Sequence, residues 1–403
     1  MVSKDEIMII GAEVAYNGLG TPQPNGAVVL QRRKSQVTVL SIESYGAAVK
    51  AFPDAVVLGK DFAISPPPVN AHTHLDLSKM PYSPGSYEEF IPQVVRHRRR
   101  LTDPVEAAKI GVERVKAAGT TVIGDIVKSD SVMRFLLNQT GLRGVAYLEV
   151  FEPDPTLAKK VFFETEERIK EYQALEKPRC MQVGISLHSP HTVSEPLLKE
   201  ISGLSVQRNL PLQIHVSETS GEIAFHKDGT GPFPELYGDL LRNWKPSGLT
   251  PVGYLAKIGV LKARPTLVHM VHVNEADVRE VQRAGCTVVH CPRSNANLNC
   301  GRFPWAMFAK HGTTVAIGTD SLGSSQSLSV YEEVHEAMAL HGNSISPLAL
   351  VRSAVKGGYR ALGLRPPKVG RGDDQTQFQV WGRRGPNLDL GIEATDNIGE
   401  IDK

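Results

Sequence analysis

Only four cysteines occur in the 403 residues, at positions 180, 286, 291 and 300, and no two form a C-x-x-C pair. So low a count at irregular spacing excludes a disulfide framework and a zinc knuckle, and leaves the thiols as small buried residues. Charge of one sign is not in excess either: 45 basic against 43 acidic residues give a formal net charge of +2. Without a surplus positive field, neither nucleic acid nor an anionic membrane is an expected partner. No run approaches the roughly 20 apolar residues of a membrane span. The opening "MVSKDEIMIIGAEVAY" carries Lys4, Asp5 and Glu6 beside one short apolar run, and it lacks the long apolar region of a signal peptide. A cytoplasmic location is therefore expected. Internal repeats and low-complexity segments are absent as well.

What is present is the balance of a soluble globular chain, 41% hydrophobic and 22% charged. The length exceeds one small core and suits a barrel with a modest second unit. Residues 7 to 58 read as short strands, "IMIIGAEVAY", "GAVVLQ" and "SQVTVLSI", with "PQPNG" as a turn and "SYGAAVKAF" as the one candidate helix. After Pro68 the text changes. Eight apolar runs alternate with amphipathic stretches: 69–74, 120–127, 143–150, 181–188, 210–216, 265–270, 286–291 and 313–320. Asp103, Ser194 and Asn274 stand as N-caps, and Gly119 and Gly285 as C-terminal stops. Eight strand–helix units in series predict an α/β fold, a (β/α)8 TIM-like barrel. A doubly wound open sheet is the alternative, but no Gly-rich phosphate loop follows the first run. "TQFQVWG" (376–382) returns to strand-like text after the Gly/Pro-rich "GLRPPKVGRGDD". The expected division is a barrel over 67–364 and a small β-sandwich unit made of both chain ends, 1–66 and 365–403.

Barrel enzymes do their chemistry at the carboxyl ends of the strands. The first run ends in His72 and His74, the fourth in His188, the fifth in His215 with Glu218 three residues on, the sixth in His269 with His272 beyond, and the eighth in Asp320. Alternation puts residues i and i+2 on one face of a strand, so His72 and His74 point together into the barrel mouth. His215 and Asp320 can join them from across it. Three imidazoles and a carboxylate suit a borderline divalent cation.

"NAHTH", "QIHVSET", "LVHMVHV", "CPRSN" and "IGTDS", in this order, resemble the amidohydrolase superfamily, in the branch of cytosine, guanine and adenosine-type deaminases and triazine hydrolases. The resemblance covers nearly the whole chain. It implies His72, His74, His215 and Asp320 as metal ligands, Glu218 as the proton shuttle and His269 as the contact to the water that the metal activates. His272 has no counterpart role and is read as a residue behind the ligands or a structural one. Two-metal members carry a lysine on the fourth strand, where this chain reads "MQVGISLH". One divalent ion per chain is therefore expected, Zn2+ first, with Fe2+ or Mn2+ as alternatives. Such an ion lowers the pKa of water from 15.7 to about 7. Hydrolysis then follows, with Glu218 protonating a ring nitrogen, His269 and Asp320 accepting or sharing the water's proton, and ammonia leaving.

The resemblance also implies substrate contacts. His188, in "LHSPHT", matches a position that meets a ribose-like part of the substrate. Ser294 and Asn295, in "CPRSNANL", either hydrogen-bond the site or form a turn. "HTHLDLS", an aromatic-bearing helix and the arginines of "VVRHRRR" are similar to the aminodeoxyfutalosine deaminases, whose substrate is an adenine nucleoside with a benzoate arm on the route to menaquinone. Helical spacing puts Arg96 with Arg99 or Arg100 on one face and sends Arg98 elsewhere. Arg96 and Arg99 are thus the candidates for the anionic arm. The competing readings are an S-adenosylhomocysteine or adenosine deaminase, a triazine or cytosine hydrolase, and a non-enzymatic binding protein on a decayed barrel. The implied partner is a small-molecule substrate, and homo-oligomerisation is left open.

Overall fold

The structure, a computed structural model, describes residues 6–33, 36–138, 140–369, 371 and 378–381. Two sheets organise them. Strands β1 (Glu6–Ala15), β2 (Gln23–Arg33), β3 (Gln36–Ser44), β4 (Val56–Ser65) and β13 (Gln379–Trp381) form one sheet in the order β13-β4-β1-β2-β3. Period-two patterning gives that sheet two apolar faces. Met8, Ile10 and Ala12 join Val28, Leu30, Ile64, Phe378 and Val380 on one side. Ile7 and Ile9 meet Ala27, Val29 and Ala48 on the other, where the helix Tyr45–Ala51 lies over them. Among the described residues of the two chain ends, the strands lie in this one sheet, and that helix forms the layer over one of its faces. Most of the tail, 382–403, lies outside the described residues.

The eight runs become β5 (Val69–Thr73), β6 (Val122–Val127), β7 (Arg143–Val150), β8 (Met181–Leu187), β9 (Leu212–Val216), β10 (Thr266–His269), β11 (Thr287–His290) and β12 (Thr314–Ile317). All neighbouring pairs are parallel, in simple sequence order. Helices cover the outside and stop where the text says. Asp103 accepts from the Glu106 N–H at the start of Pro104–Ala117. Asn274 and Asp277 make a reciprocal capping box at Glu275–Ala284, which ends on Gly285 at φ 73°. Among the described residues no helix is long and apolar enough to cross a membrane.

Closure joins β5 to the end of β12. Thr73 and Asp320 form a parallel bridge, and the His72 carbonyl accepts from both the Thr319 N–H (3.1 Å) and the Asp320 N–H (3.0 Å). The buried Asn70 amide clamps the same seam. Its Nδ2 donates to Thr319 Oγ1 (2.7 Å), and its Oδ1 accepts from the Thr319 N–H (3.1 Å). Gly318 has to be glycine here: a Cβ would stand 2.9 Å from His72 Cβ and 2.9 Å from Val289 Cγ1. The backbone turns sharply past the seam, with Asp320 at φ 60°, and His269 sits at φ 72° at the end of β10. Non-glycine residues in the left-handed region cost of order 1–3 kcal/mol each and persist where the surroundings over-determine them.

Replacing Asn70 by alanine removes two buried hydrogen bonds to Thr319, whose N–H keeps the His72 carbonyl and whose hydroxyl keeps the Asp320 carbonyl at 3.3 Å. Each such bond contributes about 0.5–1.5 kcal/mol. Urea unfolding of Asn70→Ala is expected to show a loss in that range or above; a change under about 0.5 kcal/mol would mean that the clamp is dispensable.

Candidate active site

Seam and strand ends deliver four side chains to one point. The ligand atoms of His72, His74 and His215 all lie within 4.8 Å of one another. Asp320 Oδ1 stands 3.7 Å from His72 Nε2 and 3.5 Å from His74 Nε2. The rings of His74 and His215 are stacked at 16°, and His72 meets both edge-on.

Hydrogen bonds behind these rings set the tautomers. Gln213 in β9 donates its Nε2 to the Ala71 carbonyl (3.1 Å), so its Oε1 faces His72 Nδ1 at 2.6 Å and must accept from it. The proton of His72 is thus on Nδ1 and a lone pair on Nε2. His215 Nδ1 donates to the His188 carbonyl (2.8 Å), with the same result. His269 follows suit: its Nδ1 lies 2.9 Å from Asn295 Oδ1, while the Asn295 Nδ2 turns to His290 Nδ1 at 3.2 Å. His72 Nε2 and His74 Nδ1 are buried without a hydrogen-bond partner. An unpartnered His72 Nε2 beside the Asp320 carboxylate, with ligand atoms of His74 and His215 close by, is what a divalent cation of the zinc class would satisfy, so the residues fit such an ion.

Electrostatics separate the groups. Burial, then the crowding of His72, His188, His74 and His269, holds His215 well below its usual range. Burial, with His72 next, takes His74 down to about 3. Both are neutral imidazoles at pH 7, as ligation requires. Burial works to raise the Asp320 carboxyl, but the surrounding imidazoles of His72, His74 and His269 outweigh it and hold Asp320 well below the carboxylate range. Its second oxygen accepts from Ser294 Oγ (2.6 Å) and Ser324 Oγ (3.0 Å). Glu218 goes the opposite way. Burial first, then the charge of Asp320, pushes its carboxyl up to about 8. Its Oε1 is 3.7 Å from His269 Nε2, and the Cys300 thiol donates to it at 3.7 Å. Two carboxyls in one site therefore differ in protonation at neutral pH, the arrangement that general acid–base chemistry needs.

A cavity of about 610 Å³ opens from this cluster. His74, His215, His269, Asp320 and Glu218 line one part of it, and Tyr87, Phe90, Phe151 and Leu298 give it apolar walls. His188 lines it too, with its Nδ1 on Thr192 Oγ1 (2.7 Å) and its ring against Phe151. Arg96, Arg98, Arg99 and Lys128 are the cationic lining. Arg96 and Arg99 come from the exposed side of the helix Tyr87–Arg100. Arg98 is not sent elsewhere: it turns inward because the buried Asp76 holds it with two bonds, at 2.5 and 3.3 Å.

A family model described as "Amidohydrolase family" matches residues 63–371. The chain belongs to the amidohydrolase family. This amidohydrolase is 40% identical over 382 residues to a protein of Deinococcus radiodurans described as aminodeoxyfutalosine deaminase, a match covering 93% of this chain and 90% of that one. Its fold is shared by the Helicobacter pylori aminofutalosine deaminase in complex with methylthio-coformycin (TM-score 0.72, 19% identity, 93% of this chain and 92% of that one). A Xanthomonas campestris adenosine deaminase with bound zinc has it as well (TM-score 0.66, 21% identity, 91% and 83%).

Ser294 and Asn295 hydrogen-bond the site rather than form a plain turn, but they do so behind the ligands and not at the cavity. Both are buried and absent from the cavity lining, because their side chains are spent on Asp320 and His269. His272 Nε2 lies 2.6 Å from the Cys300 carbonyl, outside the lining. The sequence reading did not find Gln213, Asp76 or Lys128. Gln213 alone had a signal: two residues before His215, it shares that residue's strand face.

Gln213→Ala is expected to free the His72 ring and weaken Zn2+ binding by about 10–100-fold, the usual consequence of losing a residue that orients a metal-binding imidazole. Competition with a chromophoric chelator measures this; unchanged affinity would show that His72 is oriented without Gln213.

Proposed function

We propose that this amidohydrolase is a hydrolytic deaminase of an adenine nucleoside with an anionic arm, 6-aminodeoxyfutalosine in menaquinone biosynthesis, acting in the cytoplasm. One cavity carries this reading: a proton-bearing carboxyl beside a metal-ligand set, and arginines on the same wall. The Deinococcus relative supports the substrate choice. His72, His74, His215 and Asp320 hold one divalent ion at this centre, Zn2+ by the donor set and by the zinc of the Xanthomonas structure, and the same donors accommodate Fe2+ or Mn2+. When bound, such an ion supplies a Lewis acid that brings the pKa of water near 7.

The chain's own groups then act in order. His269 offers its Nε2 lone pair and Asp320 its Oδ1, and together they orient the attacking water and take its proton. Glu218 donates its proton to the ring nitrogen next to the amine-bearing carbon, so negative charge does not build up there. Asp320 or Glu218 returns a proton to the amine, which leaves as ammonia. Ser294 and Asn295 work through Asp320 and His269. His188 meets the sugar, and Arg96 and Arg99 meet the arm, with Arg98 fixed by Asp76 beside them. We assign this chemistry to a barrel domain over 67–364 and treat 1–66 with 365–403 as a separate small unit; the membership of β1–β4 and β13 in one sheet supports that division.

Glu218→Gln is expected to keep its metal and lose about 10²–10⁴ in kcat. The sign of the pH dependence follows from the raised carboxyl. The protonated form is the donor, so kcat holds below about 8 and falls as pH rises through it. A Glu218→Gln variant of near-normal kcat, or one that keeps the alkaline limb, would make Glu218 a bystander.

A charge-assisted hydrogen bond to the arm is worth roughly 1.5–3 kcal/mol, about one to two powers of ten. Arg96→Ala and Arg99→Ala are each to be assayed by ammonia release. At least one is expected to lower kcat/KM for 6-aminodeoxyfutalosine by such a factor and to leave adenosine nearly unchanged. Adenosine or S-adenosylhomocysteine turned over as well as 6-aminodeoxyfutalosine by the unaltered enzyme would decide for the competing deaminase reading.

A further inference from the structure

Behind one wall of the cavity lies a second group of ligand-type side chains. His191 comes from the loop after β8. Glu222 and His226 come from the helix Ser220–Asp228, four residues apart and so on one face of it. All three are buried, and their ligand atoms lie within 4.8 Å of one another. Four of their polar atoms have no hydrogen-bond partner: His191 Nδ1, Glu222 Oε1 and both nitrogens of His226. His191 Nδ1 and Glu222 Oε1 face each other at 3.9 Å, too far to bond directly.

The surroundings offer little relief. Trp244 and Tyr254 pack on the His226 ring, and Phe233 and Tyr237 on that of His191. The one ion-pairing partner of Glu222 among the described residues is His191 itself. Burial holds the His226 imidazole down to about 3, so a neutral nitrogen with a lone pair is present at pH 7.

We propose that His191, Glu222 and His226 form a second divalent-cation site of the zinc class, separate from the barrel-mouth centre. Two imidazoles and a carboxylate are the donors that such ions select. One cation answers all three side chains at once, and favours the charged form of the Glu222 carboxyl, which burial otherwise pushes up to about 8. His191 and Glu222 also line the cavity, which gives the ion a way in. The other Glu222 oxygen accepts from the Glu218 N–H at 2.9 Å. An ion here ties the loop that carries His188 to the helix that follows Glu218, and steadies the Glu218 backbone. Glu222 is then a positioning residue.

The test counts zinc. Protein stripped of metal, reloaded with Zn2+ and gel-filtered is expected to hold two ions per chain by elemental analysis, and His226→Gln one. The double variant His72→Ala/His74→Ala, which lacks barrel-mouth ligands, is expected to keep one ion and to lose it when His226→Gln is added. Altering a residue one step removed from a metal costs about 10–100-fold in affinity, so loss of a direct ligand should exceed about 100-fold in chelator competition. His191→Asn gives the same loss without touching the helix, should His226→Gln fail to fold. A single ion that survives His226→Gln and His191→Asn but is lost with His72 and His74 overturns the proposal, and leaves a buried water as the bridge among the three side chains.

Discussion

The His72 carbonyl is the hinge of the molecule. Two successive amides, those of Thr319 and Asp320, converge on it and close the barrel. The same short contact brings the first strand's histidines beside the last strand's carboxylate. Closure and site assembly are therefore one event. A slip of one residue along either strand would turn His72 away from the barrel mouth and place Asp320 out of reach, since side chains alternate faces. Asn70 and Gly318 guard that register, one by bonding to Thr319 and the other by leaving room for His72.

Orientation comes next. His72, His215 and His269 are each tied back at Nδ1, to Gln213, the His188 carbonyl and Asn295. Each tie leaves an Nε2 lone pair directed inward. The partners are rigid because they have bonds of their own, Gln213 to Ala71 and Asn295 toward His290. The site is thus pre-organised by a layer of amides and carbonyls, and its lone pairs need no reorganisation to receive a cation.

Within that frame, burial acts with opposite results on two carboxyls. Asp320 sits among imidazoles and keeps its charge, whereas Glu218 has Asp320 itself as a charged neighbour and keeps its proton. The low-dielectric cavity amplifies both effects. A similar logic runs along the arginine wall. Asp76 is buried and holds Arg98 by two bonds, which leaves Arg96 and Arg99 as the arginines facing solvent and cavity together.

Much of this is legible in the sequence, because it depends on periodicity. Eight apolar runs, their caps and their stops are local features, and all eight appear as strands in one barrel. The His72–His74 pair is legible too, since alternation alone puts both on one face. What periodicity does not carry are the partners fixed by distance across the fold. Asn70 and Thr319 are 249 residues apart, and His72 and Gln213 are 141 apart. Helix geometry sends Arg98 away from Arg96 and Arg99, yet it lines the same cavity, because its direction is decided by a bond to Asp76 outside the helix. Ser294 and Asn295 take the first of their two alternatives and hydrogen-bond the site, from behind Asp320 and His269. The His191, Glu222 and His226 group has no spacing signature of its own, as it joins a loop to a helix that follows the next strand. The sequence alone determined which residues lie at the strand ends. Only tertiary structure decided which way each of them points, because orientation is set by the hydrogen-bond partner behind a side chain, and that partner comes from another strand.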